Sequence, residues 1–249
     1  MPARLLTTLL LLWPLLAGAA CSRPLRVPFE DWRPYSFVDS AGRHTGLETE
    51  ILAAVAKELG CEIEYVNHVP RNRRLPMLAA GELDVLLAAS YDGPNPEVAW
   101  YTRPYREEEF GAFMLPGYTG STTSLTDLMI AKARLLAHRG PSVAPVVDQF
   151  AAKGQLTPFE DYAKGLQLLK LKRGDVLIGD RLAVLAAAEA ADMALVELPV
   201  FVRRDVVAYK LARKSFSEAD VEAFNLALMR LEASGELQRI RMRWLPRRR

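Results

Sequence analysis

The sequence predicts an α/β fold in two lobes, and three observations carry that expectation. Strand-like and helix-like segments alternate as β-α-β-α-β from Leu25 to Ala89, the order of a parallel, doubly wound sheet. A Gly/Ser/Thr-rich link, Gly117–Ser124, then leads into a second α/β pattern. The two stretches echo each other: Leu75–Leu87 (LPMLAAGELDVLL) and Leu168–Ile178 (LLKLKRGDVLI) each run helix, glycine stop, aspartate, apolar strand. Such an echo is either the ordinary look of a helix-to-strand junction or the mark of two related lobes. Two lobes would leave a crevice outside the carboxyl ends of their strands, where open α/β sheets bind ligands.

The elements follow from periodicity and breakers. Leu25–Val27 is a short strand, and the Pro/Asp/Ser/Gly-rich segment Pro28–Gly46 reads as a loop. Leu47, Ile51, Val55 and Leu59 recur every four residues, one face of a helix that Gly60 stops. Ile63–Val66 is a strand, Asn72–Ala80 a helix ended by Gly81, and Val85–Ala89 and Phe110–Leu115 are further strands. The second half predicts helices over Leu125–Ala131, Val146–Ala152, Tyr162–Lys172 and Leu182–Ala191, with strands at Arg134–His138 and Val176–Ile178. Val206–Leu211 is the last strand. Helices over Glu218–Ser234 and Leu237–Trp244 close the pattern, the first burying Val221, Phe224, Leu228 and Leu231.

Composition narrows the function classes. Across 249 residues half are hydrophobic and a quarter charged, which excludes a disordered or fibrous chain. Thirty-two Lys plus Arg against 30 Asp plus Glu give a net +2, so bulk charge does not suggest nucleic-acid binding. Three scattered histidines, His44, His68 and His138, argue against a His-rich metal site, and no cofactor motif is present. Arg4, the apolar run Leu5–Leu16 and the small residues Ala17–Ala20 describe a secretory signal peptide over residues 1–20, too short to span a membrane.

The two cysteines, Cys21 and Cys61, leave three readings open. Cys21 can be the lipid-modified cysteine of a bacterial lipoprotein, although Gly18 stands where such proteins usually carry Leu. Export to an oxidising compartment permits a Cys21–Cys61 disulfide instead, since each cysteine precedes a strand and parallel neighbours would place both at one sheet edge. Two unpaired thiols are the third.

The chain resembles the bacterial extracellular solute-binding proteins of family 3, the periplasmic receptors of polar amino-acid ABC transporters. The resemblance runs from Leu25 to Leu245. It rests on Leu25-Arg26-Val27 followed by Trp32-Arg33-Pro34-Tyr35-Ser36-Phe37, on Gly46-Leu47-Glu48, and on Leu78-Ala79-Ala80-Gly81-Glu82-Leu83-Asp84. Tyr101-Thr102-Arg103-Pro104-Tyr105, Gly174-Asp175-Val176-Leu177-Ile178-Gly179-Asp180 and the ending Gly235-Glu236-Leu237 … Ile240 … Trp244-Leu245 complete it. Each piece is weak; their order and spacing are specific. The resemblance implies a type 2 periplasmic-binding-protein-like fold, each lobe a mainly parallel sheet flanked by helices, with two hinge crossovers. The first lobe would be discontinuous, residues 24–109 plus 201–249, and the second would cover 110–200. It also implies a periplasmic monomer that closes over a small polar ligand and is recognised by a transporter permease.

Site residues follow from the same resemblance. Trp32 and Tyr35 match cleft aromatics, though either can instead cap the core; Glu30 can meet an ammonium or stay solvated. Asp180 matches the aspartate that holds a ligand's α-amino group, and it also suits a helix N-cap. Ser142, after Arg139-Gly140, matches a turn that donates to a ligand carboxylate, with Ser90 and Tyr91 at the corresponding turn of the first lobe; Tyr105 completes the set. One departure stands out: the family's carboxylate-forking arginine, about ten residues before the Pro-Tyr pair, is missing from Tyr91–Glu97. Arg73 is the foremost substitute, and Arg103 and Arg139 are weaker ones, each also compatible with a surface role.

Two rivals use the same scaffold. One is a periplasmic enzyme resembling cyclohexadienyl dehydratase, with Glu30 or Asp180 as acid or base. The other is a ligand-sensing module for a membrane kinase. No Ser-His-Asp pattern, HExxH or P-loop supports catalysis.

Overall fold

The structure, a computed structural model, describes residues 21–90, 96–117, 122–139 and 143–244. The expected signal peptide therefore lies outside the described residues. The chain opens with strand β1 (Leu25–Pro28) and a two-stranded hairpin, β2 (Phe37–Val38) and β3 (His44–Thr45), inside the segment expected to be loop. Helix α1 (Leu47–Leu59) runs between Gly46 and Gly60, and Gly60 (φ 68°) returns its N–H to the helix's last carbonyls. Gly46 has φ 120°, and a Cβ there would overlap the Tyr35 carbonyl, so this approach excludes any side chain. The contact matters because it seats the Tyr35 segment on the start of α1, where the Glu48 N–H donates to the Tyr35 carbonyl at 2.9 Å.

Strand β4 (Ile63–Val66) lies parallel to β1, with Leu25 opposite Ile63. Cys21 and Cys61 precede these neighbours and form a disulfide, their Cα atoms 5.4 Å apart. That bond accounts for both thiols and so displaces the lipidated-cysteine and free-thiol readings. Helix α2 (Arg71–Ala80) follows, then β5 (Val85–Ser90) and β6 (Ala99–Tyr101). Here the simple parallel pattern fails. Asp84 donates its N–H to Arg26 beside β1, but β5 itself pairs antiparallel with a strand from far along the chain. An apolar run of strand length does not reveal its partner.

The second lobe contains β7 (Arg106–Met114), α3 (Leu125–Ile130), β8 (Leu135–His138), α4 (Pro145–Ala152), β9 (Leu156–Phe159) and α5 (Tyr162–Lys170). It continues with β10 (Val176–Asp180), α6 (Arg181–Ala190) and β11 (Val196–Glu197). Strands β10, β8 and β9 are parallel neighbours, while β7 and β11 join antiparallel. Strand β12 (Arg203–Ala212) then returns, and α7 (Glu218–Ala233) and α8 (Glu236–Trp244) pack beside α1.

Two strands cross between the lobes. β7 pairs antiparallel with β12 from Arg106–Val207 to Phe110–Arg203. Beyond that ribbon β7 continues into the second lobe against β10, and β12 into the first against β5 and β6. Both belong to one eight-stranded sheet that runs through the crossing, and reaching partners on either side of it explains why these strands have 9 and 10 residues where the others have at most six.

Each lobe has its own core. Val27, Ile51, Leu52 and Val55 meet Tyr209, Leu211, Phe224 and Leu228 in the first. In the second, Leu135 and Ile178 pack on Phe150 on one sheet face, while Leu136 and Leu177 pack on Phe159 and Leu166 on the other. Burial on both faces is why Val176–Ile178 is uninterruptedly apolar.

Candidate ligand site between the lobes

Alternation along the crossing ribbon builds the floor of the site. Successive side chains of a strand point to opposite faces, so Arg106, Glu108 and Phe110 share one face of β7 while Glu107 and Glu109 share the other. Cross-strand register adds Val207, Asp205 and Arg203 of β12 to the first face, and Asp180 of β10 stands opposite Phe110. The outward glutamates pair with exposed Arg204. The inward face is buried: the Arg106 side chain is 4% exposed and that of Glu108 13%.

Three groups from other elements converge on this floor. Glu48, in the first turn of α1, ion-pairs with Arg106 and accepts the Tyr105 hydroxyl. Tyr35 places its ring 4.7 Å from the Arg106 guanidinium. Its hydroxyl lies 2.7 and 2.8 Å from the two Asp180 oxygens, joining the two lobes. Asp180 also accepts the Ala183 N–H at 2.7 Å, capping α6, while its own N–H donates to the Tyr162 hydroxyl at 2.9 Å. Burial raises the Asp180 carboxyl above its ordinary range, against the hydrogen bonds from Ala183 and Tyr35. Burial also lifts Glu108, to about 7; Arg106 opposes the shift, and the neighbouring charges of Asp180, Glu48 and Asp205 reinforce it. A cavity of about 630 Å³ opens here, lined by Tyr35, Arg106, Glu108, Asp180 and Leu182 among others.

Aromatic and basic groups extend the first-lobe wall. The Trp32 ring lies 4.3 Å from that of Tyr35, and Arg71 stands 5.7 Å over Trp32. Across the lobes, the charge of Arg71 reaches the Tyr162 hydroxyl.

The expected site residues separate into groups. Tyr35 and Asp180 meet directly, with the Trp32 ring tilted against that of Tyr35. Asp180 is also the N-cap, so its two readings hold together in one residue. Glu30 is not a free partner for an ammonium: Arg71 and Arg74 hold it at 2.9 and 2.8 Å. Burial pushes its carboxyl up, but the hydrogen bonds from Arg74 and Arg71 outweigh that and leave it lowered. Arg73 is exposed on α2; Arg71, also exposed, and the partly buried Arg74 are the residues of this helix that pair with Glu30. Tyr105 is buried with its hydroxyl engaged by Glu48 and by the Ala88 N–H. Arg139 pairs with Glu160 at the surface, 2.6 Å apart. The Ser90 backbone pairs with Val207 at the end of β5. Tyr91 and Ser142 lie outside the described residues.

The sequence reading missed Glu48, Arg106, Glu108, Tyr162 and Arg71. A signal existed for the central pair. The charged run Arg106–Glu109 opens an otherwise apolar strand, and period-two alternation would have put Arg106 and Glu108 on one face.

Two α/β lobes joined by crossing strands, with a polar cavity at the crossing, define a ligand-binding protein of the type 2 periplasmic-binding fold. The chain belongs to the bacterial extracellular solute-binding proteins, family 3, whose profile matches residues 25–247. It is 27% identical over 216 residues to a "Probable amino-acid ABC transporter-binding protein" of Haemophilus influenzae, covering 86% of this chain and 80% of that one. Among solved structures it is similar to the GluR0 ligand-binding core in complex with L-glutamate, at 21% identity and TM-score 0.72 over 90% of this chain and 99% of that one. It is also similar to the ancestral amino-acid-binding protein AncCDT-1, a precursor of cyclohexadienyl dehydratase, at 21% identity and TM-score 0.66, covering 89% and 95%. At these identities the structural likenesses establish the fold alone.

Proposed function

We propose that the protein is a periplasmic amino-acid-binding protein that captures a small polar solute between its lobes and delivers it to an ABC transporter permease, without chemistry. One observation carries the reading: a buried carboxylate on one lobe, Asp180, meets an aromatic hydroxyl of the other, Tyr35, at the wall of the cavity. The lobes are assigned to residues 24–109 plus 201–249 and 110–200, with Trp32, Tyr35 and Asp180 in contact with ligand. A ligand ammonium placed at Asp180 relieves the cost of burying that charge. It favours the closed arrangement only through contacts to both lobes. Family membership and the name of the Haemophilus relative support transport.

The test is a thermal-shift screen of amino acids, amines and small carboxylates, followed by titration calorimetry on the hits. An amino acid that binds should raise the melting temperature, by an amount that grows with the logarithm of its affinity. A panel with no shift would remove the reading.

A second reading has one observation in its favour. A carboxyl brought to about 7 in a cavity, as for Glu108, suits general acid–base catalysis, as a dehydratase on this scaffold would need. Turnover of a prephenate-like substrate would establish that reading, and binding without turnover would exclude it.

A further inference from the structure

The geometry points to Glu108 as a second ligand-holding carboxylate, so that the site selects a basic amino acid, its ammonium at Asp180 and its side-chain cation at Glu108. This inference rests on the amino-acid-binding reading and adds to it the charge class of the ligand.

Charges at the crossing of the lobes do not balance. Four carboxylates gather at the crossing: Glu108 of β7 and Asp180 of β10 line the cavity, and Glu48 of α1 and Asp205 of β12 lie close enough for their charges to act on Glu108. Two cations answer them. Arg203 is taken by Asp205 at 2.8 Å, and Arg106 by Glu48. Glu108 is left with one Arg106 nitrogen at 3.5 Å, too long for a hydrogen bond; that Nη2 has no hydrogen-bond partner among the described residues. Among the described residues Asp180 has only neutral donors, the Tyr35 hydroxyl and the Ala183 amide. The other arginines of the cavity wall do not supply the deficit. Arg181 is bonded to Glu197, Arg241 to Glu232, and Arg103 is exposed.

Two buried carboxylates without matching counter-charge are costly, and two things can neutralise them: protons or a bound cation. Without a bound cation burial favours the proton, which is why the Glu108 carboxyl is raised to about 7. A cationic side chain entering the cavity replaces it, so binding releases a proton. Affinity for a cationic ligand therefore rises as pH climbs through about 7 and is flat above it.

The experiment compares L-arginine with L-citrulline, and L-lysine with L-norleucine, by calorimetry on the wild type and E108Q. Each pair keeps the α-amino and carboxyl groups and removes the side-chain cation. The wild type should prefer one of the cationic members over its neutral counterpart by about tenfold or more, a preference that strengthens from about pH 6 to about pH 8. In E108Q the preference should shrink to about twofold or less and lose its pH dependence. A wild type that binds only neutral or acidic amino acids overturns this inference and leaves the binding-protein reading standing. An undiminished cationic preference in E108Q overturns it as well. A wild type that binds no amino acid sinks both.

Discussion

The Tyr35 hydroxyl and the Asp180 carboxylate, 145 residues apart in the chain, meet at 2.7 and 2.8 Å where the lobes adjoin. Each group is buried, Tyr35 to 1% exposure and Asp180 to 4%, so each is the other's principal polar contact across the lobes. The pair is at once an inter-lobe tie and the wall of the cavity. Perturbing it should be felt in both stability and binding.

Tyr35→Phe removes the donor and leaves a buried carboxylate short of one partner, at a cost of about 1–3 kcal/mol in unfolding free energy. Asp180→Ala should cost about 1–2 kcal/mol through the lost α6 cap and should also weaken amino-acid binding strongly. Asp180→Asn keeps an oxygen for the Ala183 N–H and so separates the two effects, with stability largely retained and binding lost. Chemical denaturation and calorimetry on the three variants check this. Unchanged affinity in Asp180→Asn would take the residue out of the site.

Arg71 and Arg73 are both exposed on α2, but it is Arg71 that stands over Trp32 and pairs with Glu30. If a basic group of α2 holds a ligand carboxylate, Arg71→Ala should weaken binding about tenfold or more, roughly 1.4 kcal/mol, whereas Arg73→Ala should leave it within about twofold. The reverse ranking would return the role to Arg73.

The Cys21–Cys61 bond closes a loop with a sequence separation of 40 between residues that precede two parallel neighbouring strands. Replacing both cysteines by serine should lower unfolding free energy by about 3–4 kcal/mol while preserving the fold. A melting curve insensitive to reductant would show that the bond contributes nothing.

Glu108 makes a further statement about pH. Its folded carboxyl is raised from 4.5 to about 7, so between those values the folded protein holds a proton that the unfolded chain has released. Stability in the absence of ligand should therefore fall as pH rises from about 4.5 to about 7, by on the order of 1–3 kcal/mol from this residue. Glu108→Gln should flatten that part of the profile. A wild-type curve that climbs with pH through this window, unchanged in the variant, would contradict the assignment.

Arg106→Met removes the only cation bonded to Glu48 among the described residues and leaves that carboxylate buried and unpaired. The expected loss is about 3–5 kcal/mol in chemical denaturation. Pairing it with Glu48→Gln should recover much of the loss, which a purely steric role for Arg106 would not.

Much of this was readable along the chain. The α1 face through Leu47, Ile51 and Val55, the doubly covered strand Val176–Ile178, and the stops at Gly60 and Gly81 all came from local periodicity and backbone permissiveness. These depend on residues a few positions apart, and their chemistry is local. The short hairpin at Phe37–Val38 and His44–Thr45 escaped because strands of two residues carry no period. The antiparallel attachment of β5 escaped because strand partners are chosen by packing far away in sequence.

For the site the division is sharper. Motif order picked out Trp32, Tyr35 and Asp180 singly, yet nothing along the chain states that Tyr35 reaches Asp180 or that Arg71 and Arg74 claim Glu30. Those facts belong to the fold. The register of β7 against β12 and β10 sets Arg106, Glu108, Asp205 and Asp180 on one face, and the first turn of α1 brings Glu48 onto it. Secondary structure follows from near neighbours and can be read from composition and spacing. Charge balance at a buried surface is summed over segments that only folding brings together, so the excess of carboxylates at the crossing had to be read in three dimensions.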